Sequence, residues 1–249
     1  MKPFFRTLVS ENSDVTARQL AYDIIRFIKD CLSVQGSAFI ALSGGTTPQL
    51  LYKTIAGMTE DFPDWNYVHF FWVDERCVPA TSTESNFGNA DRLFFNTADV
   101  PWRNLHPVNG EEDPAVESVR YAEEIRLTLP ARDGYPVFDL ILLGMGDDGH
   151  TASLFPGQNI DIEKSSICAV SMHPSTGQKR ITLTEPVINN AREVIFFVTG
   201  QSKAKTLKTI FEQSNEPVYL PAKRIAPRHG HLSWYLDKAA AELLFNPEN

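Results

Sequence analysis

Cysteine is scarce: Cys31, Cys77 and Cys168 are the only three in 249 residues, and no two have paired spacing. That argues against a disulfide framework or a zinc site and fits reduced thiols in a cytoplasmic protein. Long apolar runs are missing too. None approaches the roughly 18 residues of a membrane span, and the start, Met1-Lys2-Pro3-Phe4-Phe5, has no long apolar segment before Glu11. Positive charge is in deficit, with 23 Lys and Arg against 31 Asp and Glu, a formal net charge of −8. Nucleic-acid binding rests on clustered cations, so that class is disfavoured. A small anion held by a few convergent cations is still compatible. Internal repeats and low-complexity tracts are also lacking.

What is present is ordinary globular material. Apolar residues make up 43% and charged residues 22%, enough for a buried core. The length fits a single domain spanning residues 1–249. Ser13 or Asp14 can cap a helix toward Val34, in which Ala17, Leu20, Ala21, Ile24, Ile25, Ile28 and Leu32 make one apolar face. Gly36 breaks it. Ala38 to Leu42 is wholly apolar, as expected of a strand buried on both faces. Pro48 then suits the first turn of a helix containing Leu50, Leu51 and Ile55.

The alternation continues. A strand over Val68 to Val73 ends at Asp74-Glu75-Arg76, and helices are expected over Asn86 to Phe94 and Val116 to Leu127. The strand Phe138 to Leu143 ends in Gly144-Met145-Gly146. Further strands are expected at Ile167 to Ser171, Ile181 to Thr184 and Val194 to Thr199. Helices follow near Pro186 and Lys203, and Asp237 opens a last one. This pattern predicts an α/β, Rossmann-like fold, a mostly parallel sheet with helices on both faces. Ligands of such sheets bind beyond the carboxyl ends of the strands.

Four polar clusters lie at those ends. Ser43-Gly44-Gly45-Thr46-Thr47 is a glycine-rich strand-to-helix turn, either a phosphate cradle or simply a tight turn. In Gly144-Met145-Gly146-Asp147-Asp148-Gly149-His150-Thr151, glycines free His150 to face a pocket. An imidazole titrating near pH 6.5 suits general-base work. Asp148 can orient that ring or cap a helix. His69 and His231, within or beside predicted strands, read as structural. Asp74-Glu75-Arg76 offers two carboxylates and a guanidinium. Arg76 can bind an anion or polarise a carbonyl, and Asp74 can orient Arg76 or receive sugar hydroxyls; a solvated ion pair is the plainer alternative. Arg180 lies on a strand, and Lys203 at a helix start, where the macrodipole disfavours a cation unless an anion sits there too. Cys77, beside one cluster, is a weaker candidate than His150.

As a set, these motifs resemble the glucosamine-6-phosphate isomerase/6-phosphogluconolactonase family. The likeness runs through Ser43 to Pro48, Trp72 to Pro79, Ser85 to Gly88, Leu143 to Gly146, Asp148 to Gly157, Arg180 to Thr184, and Gly200 with Lys203. It spans about Ser13 to Ala239. The run Thr151-Ala152-Ser153-Leu154-Phe155-Pro156-Gly157 is its most specific part. Asp147 departs from the pattern, because the family usually has proline there. The resemblance implies that amino-sugar isomerases carry a glutamate five residues after the histidine, where this chain has Phe155. They also differ at the position of Arg76. The implied activity is therefore on the lactonase side: hydrolysis of 6-phospho-D-glucono-1,5-lactone, second step of the oxidative pentose phosphate pathway. His150 would act as base, assisted by Asp148 or Asp74, and Arg76 would stabilise the oxyanion. The turn Ser43, Gly44, Gly45, Thr46 and Thr47, with Arg180 and Lys203, would hold the phosphate. No metal or other cofactor is implied. The only expected partner is the small sugar-phosphate lactone, with no nucleic acid, no membrane, and a monomer or small homo-oligomer.

Overall fold

Short apolar runs make the strands, because a run with no polar face can only be buried from both sides. The computed structural model describes residues 5–158, 166–212 and 219–244, so residues 1–4 of the N-terminal stretch read above lie outside the described residues. The strands are β1 (Phe5–Ser10), β2 (Ala38–Leu42), β3 (Val68–Trp72), β4 (Asp74–Arg76), β5 (Ala131–Arg132), β6 (Tyr135–Pro136), β7 (Leu140–Leu143), β8 (Cys168–Met172), β9 (Lys179–Leu183), β10 (Glu193–Val198) and β11 (His231–Asp237). Six of them form one sheet in the order β1-β11-β10-β7-β2-β3, and every neighbouring pair is parallel.

Helices cover both faces. α1 (Ser13–Gln35) is capped by the Asn12 side chain, which accepts from the Val15 amide at 3.0 Å, one residue before the expected cap. Gly36, in the left-handed region at φ 79°, ends it. With α2 (Thr46–Ala56) it packs on one side of the sheet, against Leu140 and Leu142 of β7 among others. Ile141 and Leu143 face the opposite layer, so the continuous apolar run serves two cores by simple alternation.

Helix α3 (Asn86–Ala90) continues through a wider π turn, Asp91–Phe95, into α4 (Asn96–Ala98), four residues past the expected end. On the opposite side lies α5 (Pro114–Thr128), whose N-cap Asp113 accepts from the Ala115 and Val116 amides. The shorter α6 (Glu185–Ile188), α7 (Ala204–Phe211) and α8 (Pro221–Arg224) follow.

Two expectations are corrected. Asp74 to Arg76 do not finish a strand of the main sheet. They form β4 of a second, antiparallel sheet ordered β4-β9-β8, so the strands expected near 167–171 and 181–184 run antiparallel there. Val73 is the pivot: its amide donates to Leu42 in the main sheet, and its carbonyl accepts from Leu183 in the small one. Asp237 does not open a helix. It ends β11, and residues 238–244 form hydrogen-bonded turns begun by the Ala240 amide donating to its carboxylate at 2.8 Å. β1 is not among the strands expected from the sequence, and β11 gives the range of the strand expected beside His231.

The chain reverses direction across the sheet at the β2–β7 pair. β3 lies to one side of β2, and β10 and β11 lie beyond β7. Loops leaving β2 and β7 diverge there, and the crevice between them is where open α/β sheets bind ligands. A cavity of about 420 Å³ opens there. A second cavity, of about 460 Å³, lies at the other end of the strands, beside Arg6, Leu140, Glu193 and His231.

Candidate active site

The loops after β2, β7 and β10 supply Ser43 to Thr47, Gly144 to His150, and Thr199 to Lys203; the small sheet adds Asp74, Arg76 and Arg180. The 420 Å³ cavity brings together ten of the eleven residues that the sequence singles out. It is lined by Ser43 through Thr47, Asp74, Arg76, His150, Arg180 and Lys203. Asp148, the eleventh, stands directly behind His150.

His150 Nδ1 lies 2.6 Å from Asp148 Oδ1, which also accepts from the His150 amide at 3.1 Å. A carboxylate at Nδ1 fixes that nitrogen as the donor and leaves Nε2 with a free lone pair. The aspartate that orients the ring is therefore Asp148. Asp74 is engaged elsewhere: its Oδ2 accepts from Ser153 Oγ at 2.6 Å and lies 3.9 Å from Arg180 Nη1. The turn admits the His–Asp pair because Gly146 has no side chain; a Cβ there would overlap the His150 ring and the Asp148 carboxylate. The imidazole also rests on Phe155, with ring centroids 4.8 Å apart.

Arg76 and Arg180 stand directly opposite each other in the β4–β9 ladder. Like charges so placed repel, and neither is fully neutralised. Arg76 donates to the Glu84 carbonyl at 2.6 Å. Arg180 is only 9% exposed, yet its contacts to Ser153, Gln178 and Asp74 lie at 3.4 to 3.9 Å, and among the described residues its Nε has no partner. Burial pulls its pKa down, and Asp74 opposes this. A buried guanidinium with slack hydrogen bonds keeps donors for a further acceptor, since leaving them unmet is costly.

The β2 turn supplies a different kind of donor. Gly45 caps α2 at φ 107°, a left-handed conformation that glycine tolerates, so the first turn of the helix points its free amides at the cavity. A Cβ on Gly44 would overlap the Asn86 side chain, whose Nδ2 donates to the Asp74 carbonyl at 2.8 Å. The Ser43 hydroxyl is already spent on the Leu142 carbonyl at 2.8 Å, so Ser43 locks the turn onto β7. Thr47 Oγ1 sits 3.3 Å from Thr199 Oγ1.

Sequence reasoning missed four groups. Glu75, for which a solvated ion pair is one of two readings with its neighbours, is 1% exposed. Its two oxygens accept from the Arg76, Asn86 and Phe87 amides and the Ser85 hydroxyl, at 2.7 to 3.1 Å. Burial raises its pKa, and these bonds oppose the rise. Asp147 makes an ion pair with Lys203 at 2.6 Å. Asp237 accepts from the Gly200 amide at 3.0 Å, fixing the loop that presents Lys203. Ser153 joins Asp74 to the Arg180 guanidinium. Only the paired Asp147-Asp148 and Asp74-Glu75 hint at this division of labour in the sequence. Cys77 does not line the cavity, and burial with Glu75 nearby pushes its thiol pKa up, which disfavours it as a nucleophile.

Among the described residues, no group of three or more His, Cys, Asp or Glu could hold a metal ion, and no helix is long and apolar enough to cross a membrane. Comparison with known proteins agrees with the geometry. Residues 11–234 match the family described as glucosamine-6-phosphate isomerases/6-phosphogluconolactonase. The chain is 43% identical over 206 residues to a 6-phosphogluconolactonase of Haemophilus influenzae, covering 82% of this chain and 87% of that protein. It is 36% identical over 221 residues to the human 6-phosphogluconolactonase, covering 87% and 85%. The crystal structure of 6-phosphogluconolactonase from Trypanosoma brucei superposes with a TM-score of 0.85 at 29% identity, covering 98% of this chain and all of that one. With the sheet order, the crevice and these likenesses in agreement, the chain belongs to the glucosamine-6-phosphate isomerase/6-phosphogluconolactonase family.

Proposed function

We propose that this protein is a 6-phosphogluconolactonase, hydrolysing 6-phospho-D-glucono-1,5-lactone to 6-phosphogluconate. The observation that carries this is the His150–Asp148 pair, at 2.6 Å, in one cavity with two under-partnered arginines and an open helix start. A binding protein would need the cations and the helix amides but not an oriented base.

In the proposed mechanism, the α2 amides, the threonines at its start, Arg180 and Lys203 hold the phosphate. Such a site gathers a doubly charged group by charge and by backbone donors together. His150 Nε2 removes a proton from water as its oxygen attacks the lactone carbonyl carbon. Negative charge grows on the carbonyl oxygen, where Arg76 stabilises it. The tetrahedral adduct then collapses, the bond to the ring oxygen breaks, and the imidazolium returns its proton to that oxygen. Asp148 keeps the ring in the required tautomer and stabilises the imidazolium. Asp74, through Ser153, holds Arg180 in place. Phe155 fills the position next to His150 where the isomerase chemistry would call for a carboxylate. A cytoplasmic setting fits the three free thiols.

The test is hydrolysis of freshly prepared 6-phosphogluconolactone near pH 6.5, against a blank, with unphosphorylated gluconolactone alongside. The expected result is saturable acceleration of the phosphorylated lactone alone. No acceleration by folded protein would overturn the assignment.

A further inference from the structure

Asp147 lies in the catalytic loop, three residues before His150, and no step of the proposed reaction uses it. Its exposed side chain does not line the cavity, but it pairs with Lys203, which does. Oδ1 sits 2.6 Å from Lys203 Nζ and accepts from Ser202 Oγ at 3.1 Å. Its carbonyl accepts from Thr206 Oγ1 at 2.5 Å. One residue thus ties the loop bearing His150 to the start of α7, which bears Lys203. The Asp147 carboxyl is 65% exposed, whereas the Lys203 side chain is 21% exposed. The Lys203 hydrogen bond holds the carboxyl below the usual carboxylate range, with burial opposing. It is therefore a full negative charge beside the group that must meet another anion.

From this geometry we infer that Asp147 is a positioning residue and an internal competitor: it holds the Lys203 ammonium in the empty site and must share it with the phosphate of the ligand. The inference rests on the assignment of Lys203 to the phosphate. Two anions at one ammonium weaken each other's hold, and the penalty grows with the charge of the ligand. Opening the lactone ring leaves a carboxylic acid that loses its proton to water, so the product carries one more negative charge than the substrate. A fixed carboxylate one ion pair behind the cavity lining consequently disfavours product more than substrate. Product departs, and the departure needs no movement of the fold.

The test is binding of inorganic phosphate and of 6-phosphogluconate by titration calorimetry, with wild type, Asp147→Asn, Lys203→Met and the double variant. Asn keeps the size and the acceptor oxygen for Ser202 while removing the charge. Asp147→Asn is expected to bind 6-phosphogluconate on the order of 3- to 5-fold tighter, the scale of one partly solvated charge pair. Inorganic phosphate should tighten less. KM for the lactone should change less than the inhibition constant of the product. The gain should vanish in the double variant, because it acts through Lys203. Unchanged or weaker product binding in Asp147→Asn, with Lys203→Met losing phosphate affinity, would overturn the inference and leave the phosphate site intact. Unchanged phosphate affinity in Lys203→Met would instead remove Lys203 from the phosphate site, and the inference with it.

Discussion

The two ends of the parallel sheet carry cavities of nearly equal size, about 420 Å³ beyond the carboxyl ends of the strands and about 460 Å³ at their starts. Both are lined by charge. At the strand starts three of the charged groups are partnered: Tyr235 donates to Asp23 at 2.8 Å, Arg26 pairs with the same carboxylate at 3.2 Å, and Ser233 donates to Glu193 at 2.8 Å. No helix start opens there. At the carboxyl ends two arginines face each other with slack partners, glycine leaves a helix start bare, and a histidine is held by a carboxylate. The difference is not volume or the number of charged groups. It is whether those groups gather around an oriented histidine and a bare helix start.

Four changes would break or sharpen that contrast. His150→Ala should have the largest effect, lowering kcat for the phosphorylated lactone on the order of 10²- to 10⁴-fold in the hydrolysis assay. Unchanged kcat in a folded variant would remove the base. Asp148→Asn should lower kcat by on the order of 10- to 10²-fold, less than for a buried triad aspartate, because its side chain is 47% exposed. KM should barely move, and equal losses in kcat and affinity would mean a mainly structural role. Arg180→Ala should chiefly raise KM, about 10-fold or more, with steady-state kinetics as the check. Wild-type KM would mean that the phosphate sits elsewhere.

Glu193→Gln, at the quiet end, should leave lactone hydrolysis within about twofold while gaining a little stability at neutral pH. Burial raises the pKa of Glu193 above its ordinary value near 4.5, and Ser233, His231 and Arg6 oppose the rise. The folded state therefore binds the proton more tightly than the unfolded chain. That stabilisation is complete below about pH 4.5 and is lost as pH rises through the folded value. The amide avoids the cost of ionising inside the protein. Thermal melts from pH 4 to 8 should show variant and wild type diverging as pH rises. A twofold-exceeding loss of turnover would mean that the two ends are coupled.

Much of this was legible in the sequence, for reasons that differ by element. The α1 helix declares itself by seven spaced apolar residues and a terminating glycine. β2 and β7 declare themselves by being apolar throughout, which only the sheet centre permits. Strands with polar residues set among the apolar ones give no such signal. β1 lies at the edge and β11 beside it, and the tail of β11 reads as a helix start because Asp237 does cap the turn that follows. Nor does period-two alternation reveal a strand's partner, so β4, β8 and β9 were assigned to the wrong sheet.

The site was legible as a set of strand-end clusters, since chain topology alone gathers them. Individual duties were not. Asp74, Glu75, Asp147 and Asp148 are four similar carboxyls in the sequence. They become an arginine holder, a helix anchor, a lysine partner and an imidazole orienter only through distances. The same holds for Ser43, whose hydroxyl is committed to Leu142.

One feature reaches into folding. The cavity draws on residues 43–48, 74, 76, 144–146, 150, 152, 180, 197–199, 202 and 203, contributed by separate connections spread over more than half the chain. No single hairpin or helix pair assembles it, and its last walls arrive only when β9 and β10 have docked. A phosphorylated ligand therefore has affinity for the finished protein and almost none for any part of it. By mass action such a ligand lifts the whole unfolding transition, not one region of it. The substrate site doubles as a proofreader of its own assembly: a chain that grips phosphate has completed its fold.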